Sequence, residues 1–204
     1  ELMPVLSPLG LDPVHPFPRI LNKSLNFAVE LEGRDAFGRD PGLALVRAPR
    51  SLPRLIRIPK SYSKGDNDFV FLSSILHEFI NELFPGMTVR GCYQFRVTRN
   101  SELFVDEEEI EDLARALEGE LLERGFAEAV RLELAENCPD HVAKLLTSKF
   151  GLDEADVYRC DGPVNLNRMI ALCDDADRPD LLYPAFQPHV PAALAAGNDL
   201  FAAL

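Results

Sequence analysis

The sequence has few features that would place the protein at a membrane or on a nucleic acid. No apolar run reaches the roughly 18 residues that a spanning helix needs, and the first thirty residues lack the charged-then-apolar layout of a signal peptide. Positive charge is scarce, because 21 Lys and Arg stand against 33 Asp and Glu, a net charge of −12. General nucleic-acid binders carry the opposite excess. We therefore expect a cytoplasmic protein with no membrane span and no nucleic-acid partner.

Cysteine is also sparse, and its spacing argues against a disulfide framework. Cys92, Cys138, Cys160 and Cys173 form no CxxC or other short pair, which is typical of reduced, partly buried structural thiols. The remaining composition, 47% hydrophobic and 26% charged, is that of a globular protein. A chain of 204 residues can bury about 70% of its unfolded surface in one sizeable domain.

Signatures of common active sites are missing. The sequence contains no GxxxxGK(S/T), GxGxxG or GxSxG motif, so neither a phosphate-binding loop nor a nucleophile elbow is predicted. Cys138 and His141 supply two metal ligands where zinc needs three or four, and residues 174–177 lack the glycine and glutamate of a calcium loop. The other histidines are isolated, at His15, His77 and His189. We predict no catalytic, cofactor-binding or metal-binding residue in this chain.

Prolines crowd residues 4–18 and 179–191, where they favour extended connectors. The predicted organisation is a Pro-rich arm over 1–19, one domain over 20–178 and a second Pro-rich arm over 179–204. The chain begins at Glu1 rather than at a methionine, and residues 198–204 resemble the first turns of a helix. We expect it to be a piece of a longer protein.

Apolar and polar residues alternate in several short segments, which is the pattern of β-strands. The predicted strands cover residues 25–32, 43–47, 54–58, 69–71, 89–99, 130–134 and 157–160. In the first strand we expect one buried face, formed by Leu25, Phe27, Val29 and Leu31.

The same alternation predicts which residues share a face in the later strands. It groups Val89 with Gly91, Tyr93, Phe95 and Val97 in the longest strand. It groups Val130 with Leu132 and Leu134 in the next.

Helical spacing of apolar residues predicts four helices. The first covers residues 72–83, is capped by Ser73 or Ser74 and ends at Pro85-Gly86, and the second, over 106–125, has a strongly acidic outer face. The third starts with Pro139 as its first helical residue and ends at Gly151, and a short fourth covers 166–170. Strands mixed with helices and joined by hairpin-length turns favour an α+β fold in a single domain, with a mixed, largely antiparallel sheet packed with several helices.

Charge is segregated along the chain. Two segments, 43–65 and 86–100, hold nine basic residues and no acidic residue. The basic residues are Arg47, Arg50, Arg54, Arg57, Lys60, Lys64, Arg90, Arg96 and Arg99. Residues 101–123 hold ten acidic residues against the single Arg115. Either the arginines face a phosphate-rich ligand, whose oxygens match guanidinium geometry, or the basic strands pair with the acidic helix or with a partner chain.

Arg96 and Arg99 flank Thr98 and precede Asn100 at a predicted strand end. A spacing of three places them on opposite faces of a regular strand, so a joint site would need a bulge or a bend there.

Eight short strings carry a family resemblance. They are His15-Pro16-Phe17-Pro18, Ser24-Leu25-Asn26, Leu52-Pro53-Arg54-Leu55-Ile56-Arg57-Ile58-Pro59, Leu83-Phe84-Pro85-Gly86, Phe95-Arg96-Val97-Thr98-Arg99-Asn100, Val130-Arg131-Leu132-Glu133, Gly162-Pro163-Val164-Asn165-Leu166 and Arg178-Pro179-Asp180-Leu181. In order and spacing the chain resembles the middle, or head, domain of bacterial polyphosphate kinase. The resemblance covers essentially the whole chain.

The resemblance implies an enzyme that reversibly transfers the terminal phosphate of ATP to inorganic polyphosphate through a phosphohistidine, with magnesium, as a dimer or higher oligomer. In that family the phosphorylated histidine and most ATP and magnesium ligands lie in two following phospholipase-D-like domains, and none of those motifs matches here. We therefore expect a non-catalytic fragment, inactive alone, whose cofactors ATP and Mg belong to the full-length enzyme. Its partners would be a second copy, the remaining domains and polyphosphate.

Three hypotheses follow for the fragment itself. It is a structural and dimerisation module, or it lines the polyphosphate tunnel with Arg54, Arg57, Arg96 and Arg99. The third is a stand-alone acidic protein-interaction module without kinase activity.

Overall fold

The computed structural model describes residues 5–12, 16–34, 38, 40, 42–100 and 128–189. Its strands are β1 (Pro8–Gly10), β2 (Asn26–Glu32), β3 (Leu43–Arg47), β4 (Leu55–Arg57), β5 (Phe69–Phe71), β6 (Thr88–Arg99), β7 (Ala129–Ala135) and β8 (Val157–Cys160). Its α-helices are α1 (Leu72–Glu78), α2 (Asp140–Phe150) and α3 (Ala171–Asp175). Short 3-10 helices cover Ile80–Leu83, Glu154–Asp156, Leu166–Ile170 and Pro179–Leu181. The predicted acidic helix, His15 and the final helical turns lie outside the described residues.

A six-stranded sheet has the order β1-β3-β2-β6-β7-β8, and β4 pairs with β5 in a separate two-stranded sheet. Every neighbouring pair is antiparallel except β7 and β8, which run parallel and are connected through α2. A helix is the usual connection between parallel neighbours, because the chain must return to the same edge. The α+β prediction with a mixed, largely antiparallel sheet is confirmed.

The N-terminal arm contributes an edge strand that the sequence did not predict. Residues 8–10 pair antiparallel with β3, from Pro8 opposite Val46 to Gly10 opposite Ala44. Proline is tolerated at a sheet edge because its missing N–H faces away from the ladder. The predicted extended connector therefore extends the main sheet.

The main sheet is covered on both faces. One face, the α1-side core, joins Phe27 and Val29 of β2 to Leu72 and Leu76 of α1. The other, the α2-side core, joins Ala28 of β2 and strand β7 to helix α2, whose Leu146 is fully buried. The predicted buried face of Leu25, Phe27, Val29 and Leu31 is confirmed, since all four lie in the α1-side core. The opposite face is buried as well, contrary to the expectation of a single buried face, because α2 covers the side that carries the smaller residues.

Two register shifts alter the predicted faces of the later strands. Between β2 and β6 the pairing passes from Gly91 to Val89, so Arg90 is an extra residue and Val89 packs on the α1-side core. Between β6 and β7 the pairing passes from Arg131 to Ala129, which leaves Val130 unpaired and 48% exposed. An extra residue reverses the alternation beyond it. The face predictions for Val89 and Val130 are wrong for this reason.

The helix ends match the predictions in part. Helix α1 begins after Phe71 without a side-chain cap, and the N–H of Leu72 donates to the Arg54 carbonyl instead (2.9 Å). The predicted serine cap is therefore wrong, because the helix continues directly from β5. Pro139 is the N-cap of α2 rather than its first helical residue, while Gly151 ends the helix in the left-handed region (φ 66°), as predicted.

Residues 1–171 form one compact unit and residues 172–204 a second. In the second unit, Arg178 donates from Nε and Nη2 to the two carboxylate oxygens of Asp180, at 2.7 and 2.6 Å. In the described part of the chain no helix combines the length and the apolar character that crossing a membrane requires.

The cysteines are free thiols in different surroundings. Cys92 and Cys138 are buried, Cys160 is half-buried and Cys173 is exposed. Burial raises the pKa of Cys92 to about 12 and that of Cys138 to about 11. Both buried thiols stay protonated and unreactive, as expected of structural cysteines.

Candidate phosphate-binding cleft

Arg96, one of the four arginines predicted to bind polyphosphate, is paired within the sheet. It lies opposite Glu133 on β7, and its Nη1 is 3.2 Å from Glu133 Oε2. The two side chains are only 14% and 13% exposed. Arg131 approaches the other oxygen of Glu133 at 3.1 Å. The carboxylate therefore neutralises positive charge on this face of the sheet.

Arg99 lies on the opposite face, as its spacing from Arg96 predicts. Its Nε donates to the Ile20 carbonyl (3.0 Å), and its guanidinium carbon is 5.8 Å from the ring centre of Phe150 in the α2-side core. Burial lowers the pKa of this guanidinium. The register shift beside Arg99 occurs in β7 rather than β6, so it does not bring Arg96 and Arg99 together.

Arg57 is exposed at the end of β4. Its Nη1 donates to the Asp66 carbonyl (2.8 Å) and to Asn67 Oδ1 (3.1 Å), and its guanidinium carbon is 4.7 Å from the ring centre of Phe69. These contacts hold the side chain against the β4–β5 hairpin. Its charge still faces solvent.

Arg54 is buried, with 7% exposure. Its Nη2 donates to the Val164 carbonyl at 2.6 Å, and its guanidinium carbon is 5.9 Å from the ring centre of Phe71. Its Nε and Nη1 are also buried, and neither has a hydrogen-bond partner among the residues that the structure describes. Burial, and in addition the charge of Arg168, lowers the pKa of Arg54. Arg54 is thus a buried cation with two unused donor atoms.

A small cleft, here called the Arg54 cleft, lies where residues 23–25, 48–54 and 165–168 meet. Within the described parts of the chain its lining contains no carboxylate, and its cations are Lys23, Arg50, Arg54 and Arg168. The cavity volume of about 30 Å³ holds one or two water-sized groups. Such a space suits the oxygens of one tetrahedral anion better than a nucleotide.

Backbone carbonyls hold two of the exposed cations at the rim. Nη1 of Arg168 donates to the Arg50 carbonyl at 3.2 Å, and Nη2 of Arg50 donates to the Asn22 carbonyl. A carbonyl oxygen positions a guanidinium without cancelling its net charge. The rim therefore stays positive.

The segment before β2 is shaped by its own side chains. Ser24 Oγ donates to the Leu21 carbonyl (2.8 Å), and the buried Asn26 amide donates to the Ser24 carbonyl (2.9 Å). The Lys23 N–H donates to the Val97 carbonyl of β6 at 2.8 Å. Short polar side chains of this kind stabilise tight turns. This turn places Lys23 at the cleft.

The histidines and the remaining metal-ligand types occupy other places. His141 Nε2 lies 2.5 Å from Glu30 Oε1, so it contributes to packing between α2 and β2, while His77 and His189 are exposed. A separate cavity of about 270 Å³ is lined by residues that include His77, Cys92 and Cys160. Among the described residues, no group of three His, Cys, Asp or Glu side chains is placed to hold a metal ion.

Sequence reasoning found Arg54 but missed its neighbours in the cleft. Lys23 and Arg168 belong to no predicted site, and Arg50 was one basic residue in a run. The usable signal was in the family strings, because three of them contribute residues at this cleft or next to it. These strings are Ser24-Leu25-Asn26, the one that begins Leu52-Pro53-Arg54, and Gly162-Pro163-Val164-Asn165-Leu166.

With the fold and the cleft defined, the class of protein is clear: a family model for the polyphosphate kinase middle domain matches residues 1–172, so the chain belongs to the polyphosphate kinase family. Within that family it represents the middle domain.

Curated relatives agree with this assignment. Polyphosphate kinase of Xylella fastidiosa is 61% identical over 190 residues, which cover 93% of this chain and 27% of that protein. Polyphosphate kinase of Pseudomonas aeruginosa is 52% identical over 201 residues, which cover 98% of this chain and 29% of that protein. The chain thus spans under a third of the length of these relatives.

A solved structure supports the fold. The crystal structure of polyphosphate kinase from Porphyromonas gingivalis matches with a TM-score of 0.69 at 23% identity. The match covers 100% of this chain and 28% of that one.

Proposed function

We propose that this chain is the middle, or head, domain of a polyphosphate kinase that reversibly transfers the terminal phosphate of ATP to inorganic polyphosphate. The observation that carries the proposal is the match of the middle-domain family model to residues 1–172, supported by 61% identity to a polyphosphate kinase over 93% of the chain. Within that enzyme we assign the domain a non-catalytic role.

ATP, magnesium and the phosphorylated histidine belong, in this proposal, to other domains of the same polypeptide. Among the residues that the structure describes, no three metal-ligating side chains come together, and we assign none of these residues to magnesium. No step through ATP or magnesium is assigned to its residues.

The proposed roles of the domain are dimerisation and contact with polyphosphate at the tunnel. Of the four arginines predicted for that contact, Arg54 suits it best, since it is buried, donates to the Val164 carbonyl and has two further nitrogens without a partner among the described residues. Arg96 pairs with Glu133, and Arg99 donates to the Ile20 carbonyl on the other face of the sheet. We expect smaller contributions from Arg96 and Arg99.

The kinase activity is tested on the purified protein that the complete reading frame containing this chain encodes. The purified protein should form polyphosphate from ATP with magnesium and should form ATP from polyphosphate and ADP. A reading frame that encodes no catalytic domain, together with absent activity, would reject the kinase and favour the acidic interaction module.

The dimerisation role is tested by sedimentation of the full-length protein and of a variant without residues 20–175. The deletion should shift the protein to monomers at concentrations where the full-length protein is a dimer. An intact dimer after the deletion would remove this role without affecting the kinase assignment.

A further inference from the structure

We infer that the Arg54 cleft is a binding site for a phosphoryl oxyanion, held by the guanidiniums of Arg54, Arg50 and Arg168 together with Lys23. That its occupant is a segment of polyphosphate, rather than free phosphate, rests on the proposed function.

The first observation is the state of Arg54. A cation that is more than nine-tenths buried normally has a counter-charge, because removing an ion from water is costly. Arg54 has one carbonyl partner, at 2.6 Å, and two buried nitrogens without an acceptor in the described structure. Buried donors in proteins are almost always satisfied by protein atoms or by water, so these two nitrogens call for an acceptor other than the described residues.

The second observation is the accumulation of like charge around Arg54. Burial and, in addition, repulsion from Arg168 lower the pKa of Arg54, and Lys23, Arg50 and Arg168 line the same cleft. Like charges gathered without acid oppose folding unless an anion binds between them. An anionic phosphoryl group would relieve the repulsion and supply the missing acceptors.

The third observation is backbone strain at the same place. Lys23 and Asn165 adopt left-handed conformations, with φ of 55° and 65°, and both line the cleft. In the unit formed by residues 1–171 they are the only non-glycine residues described with positive φ. Strained residues of this kind cluster where ligands are bound.

Geometry and size favour a phosphoryl group. The paired N–H donors of a guanidinium match the oxygens of a phosphate group. Several guanidiniums around one anion offer more donors than the two oxygens of a carboxylate can accept, so a phosphoryl group fits better than a carboxylate. The cavity of about 30 Å³ admits one or two oxygens of a tetrahedral group and leaves its other oxygens in solvent. A polyphosphate chain could therefore enter through one of its phosphoryl groups.

The test measures binding of inorganic phosphate and of long-chain polyphosphate to the full-length protein by titration calorimetry. The variant is Lys23→Gln/Arg50→Gln/Arg168→Gln, which removes three exposed cations and leaves the buried Arg54 in place. Since each lost contact is charge-assisted, we expect at least about a tenfold loss of affinity for the probe that occupies the cleft. If polyphosphate binds, the slope of log affinity against log salt should fall by about 0.7 for each phosphate contact removed.

The matched control is Lys60→Gln/Lys64→Gln/Lys144→Gln. It removes the same positive charge from exposed positions of the same domain outside the cleft. The control should keep affinity within about twofold of wild type, because it leaves all four cations of the cleft in place. If binding were only non-specific attraction, which depends on total charge, the two variants would lose affinity equally. Equal losses in the two variants, or no loss in the cleft variant, would overturn the proposal.

The variant Arg54→Lys tests whether the guanidinium geometry of Arg54 matters for binding, since it keeps the charge and loses the bidentate donor pair. If Arg54→Lys fails to fold, the triple variants still decide the proposal.

The two probes separate the possible sources of the anion. Loss of polyphosphate binding in the cleft variant identifies a chain segment, and loss of inorganic phosphate binding alone identifies free phosphate; both support the site. The proposed function fails separately. If the protein lacks kinase activity but still shows cleft-dependent phosphate binding, the kinase assignment is rejected and the binding site is kept. If the protein is an active kinase without such binding, the binding site is rejected and the kinase assignment is kept.

Discussion

Charged side chains are buried in two regions of this domain, and the regions differ in whether a carboxylate faces the buried cation. On the main sheet, Glu133 lies between Arg96 and Arg131, and Glu30 accepts from Tyr93 Oη (2.7 Å) while contacting His141. In the Arg54 cleft, buried and rim cations meet carbonyl oxygens, and no described carboxylate joins them.

The difference teaches how to separate structural from functional arginines. An arginine whose counter-charge lies on the neighbouring strand is part of the fold, and it has little attraction left for a ligand. An arginine that is buried without a counter-charge lowers stability unless something binds it. The cleft is therefore the better candidate site, although its residues are further apart in sequence.

The largest expected effect is on the paired region. Glu133→Ala would leave Arg96 and Arg131 without their carboxylate, and breaking a largely buried pair in this way costs about 3 kcal/mol. Urea unfolding measures the loss. The exposed Glu136→Ala should change the unfolding free energy by less than about 0.5 kcal/mol. Equal effects of the two substitutions would mean that Glu133 does not stabilise the sheet.

The next effect concerns Arg54. Inorganic phosphate at a hundred times its dissociation constant should stabilise the wild-type protein by about 2.7 kcal/mol, and this increment should disappear in Arg54→Met. Unfolding with and without phosphate measures it. Arg90→Met, at an exposed arginine paired with Glu32, should retain the full increment. A phosphate increment that survives in Arg54→Met contradicts the difference between the regions.

A smaller effect concerns Glu30 and pH. Burial raises the pKa of its carboxyl, but the hydrogen bond from Tyr93 and the contact with His141 together hold the pKa below 4.5. A carboxyl with a lowered folded-state pKa stabilises the protein above its unfolded value and loses that contribution as the pH falls through the folded pKa. Glu30→Gln should therefore show a shallower loss of stability on acidification below pH 4.5 than wild type. Superimposable pH profiles would contradict this.

The smallest effect tests strain in the cleft. Lys23→Gly relieves a left-handed backbone, and after the entropy cost of glycine it should stabilise the domain by about 0.5 kcal/mol. The same change should weaken phosphate binding, because it removes a cation. Lys23→Gln shares the charge loss but keeps the strain, so it should weaken binding and stabilise the fold less than Lys23→Gly does. Equal gains in stability from the two substitutions would attribute the effect to relieved charge repulsion alone.

Much of the fold was predictable because strands and helices have local periods. The ranges of β3 and β8 are as predicted, β2 and β6 differ by one residue at their N-terminal ends, and Gly151 ends α2. The faces of Val89 and Val130 were not predictable, because each depends on one extra residue that only strand pairing reveals.

The candidate site was predictable only in part. The basic character of residues 43–65 and the presence of Arg54 in a family string were visible in the sequence. The grouping of Arg54 with Arg168 was not visible, because the contact of Arg54 with Val164 joins positions 110 residues apart. The contact of Arg96 with Glu133 spans 37 residues.

By itself, the sequence determined the α+β class, most strand positions, the segregation of charge and the family. Those properties depend on local periodicity, composition and short strings. The tertiary structure decided which arginines are neutralised and which are left to a ligand. That choice depends on register and chain crossing, which bring the Glu133 carboxylate to Arg96 and the Val164 carbonyl to Arg54.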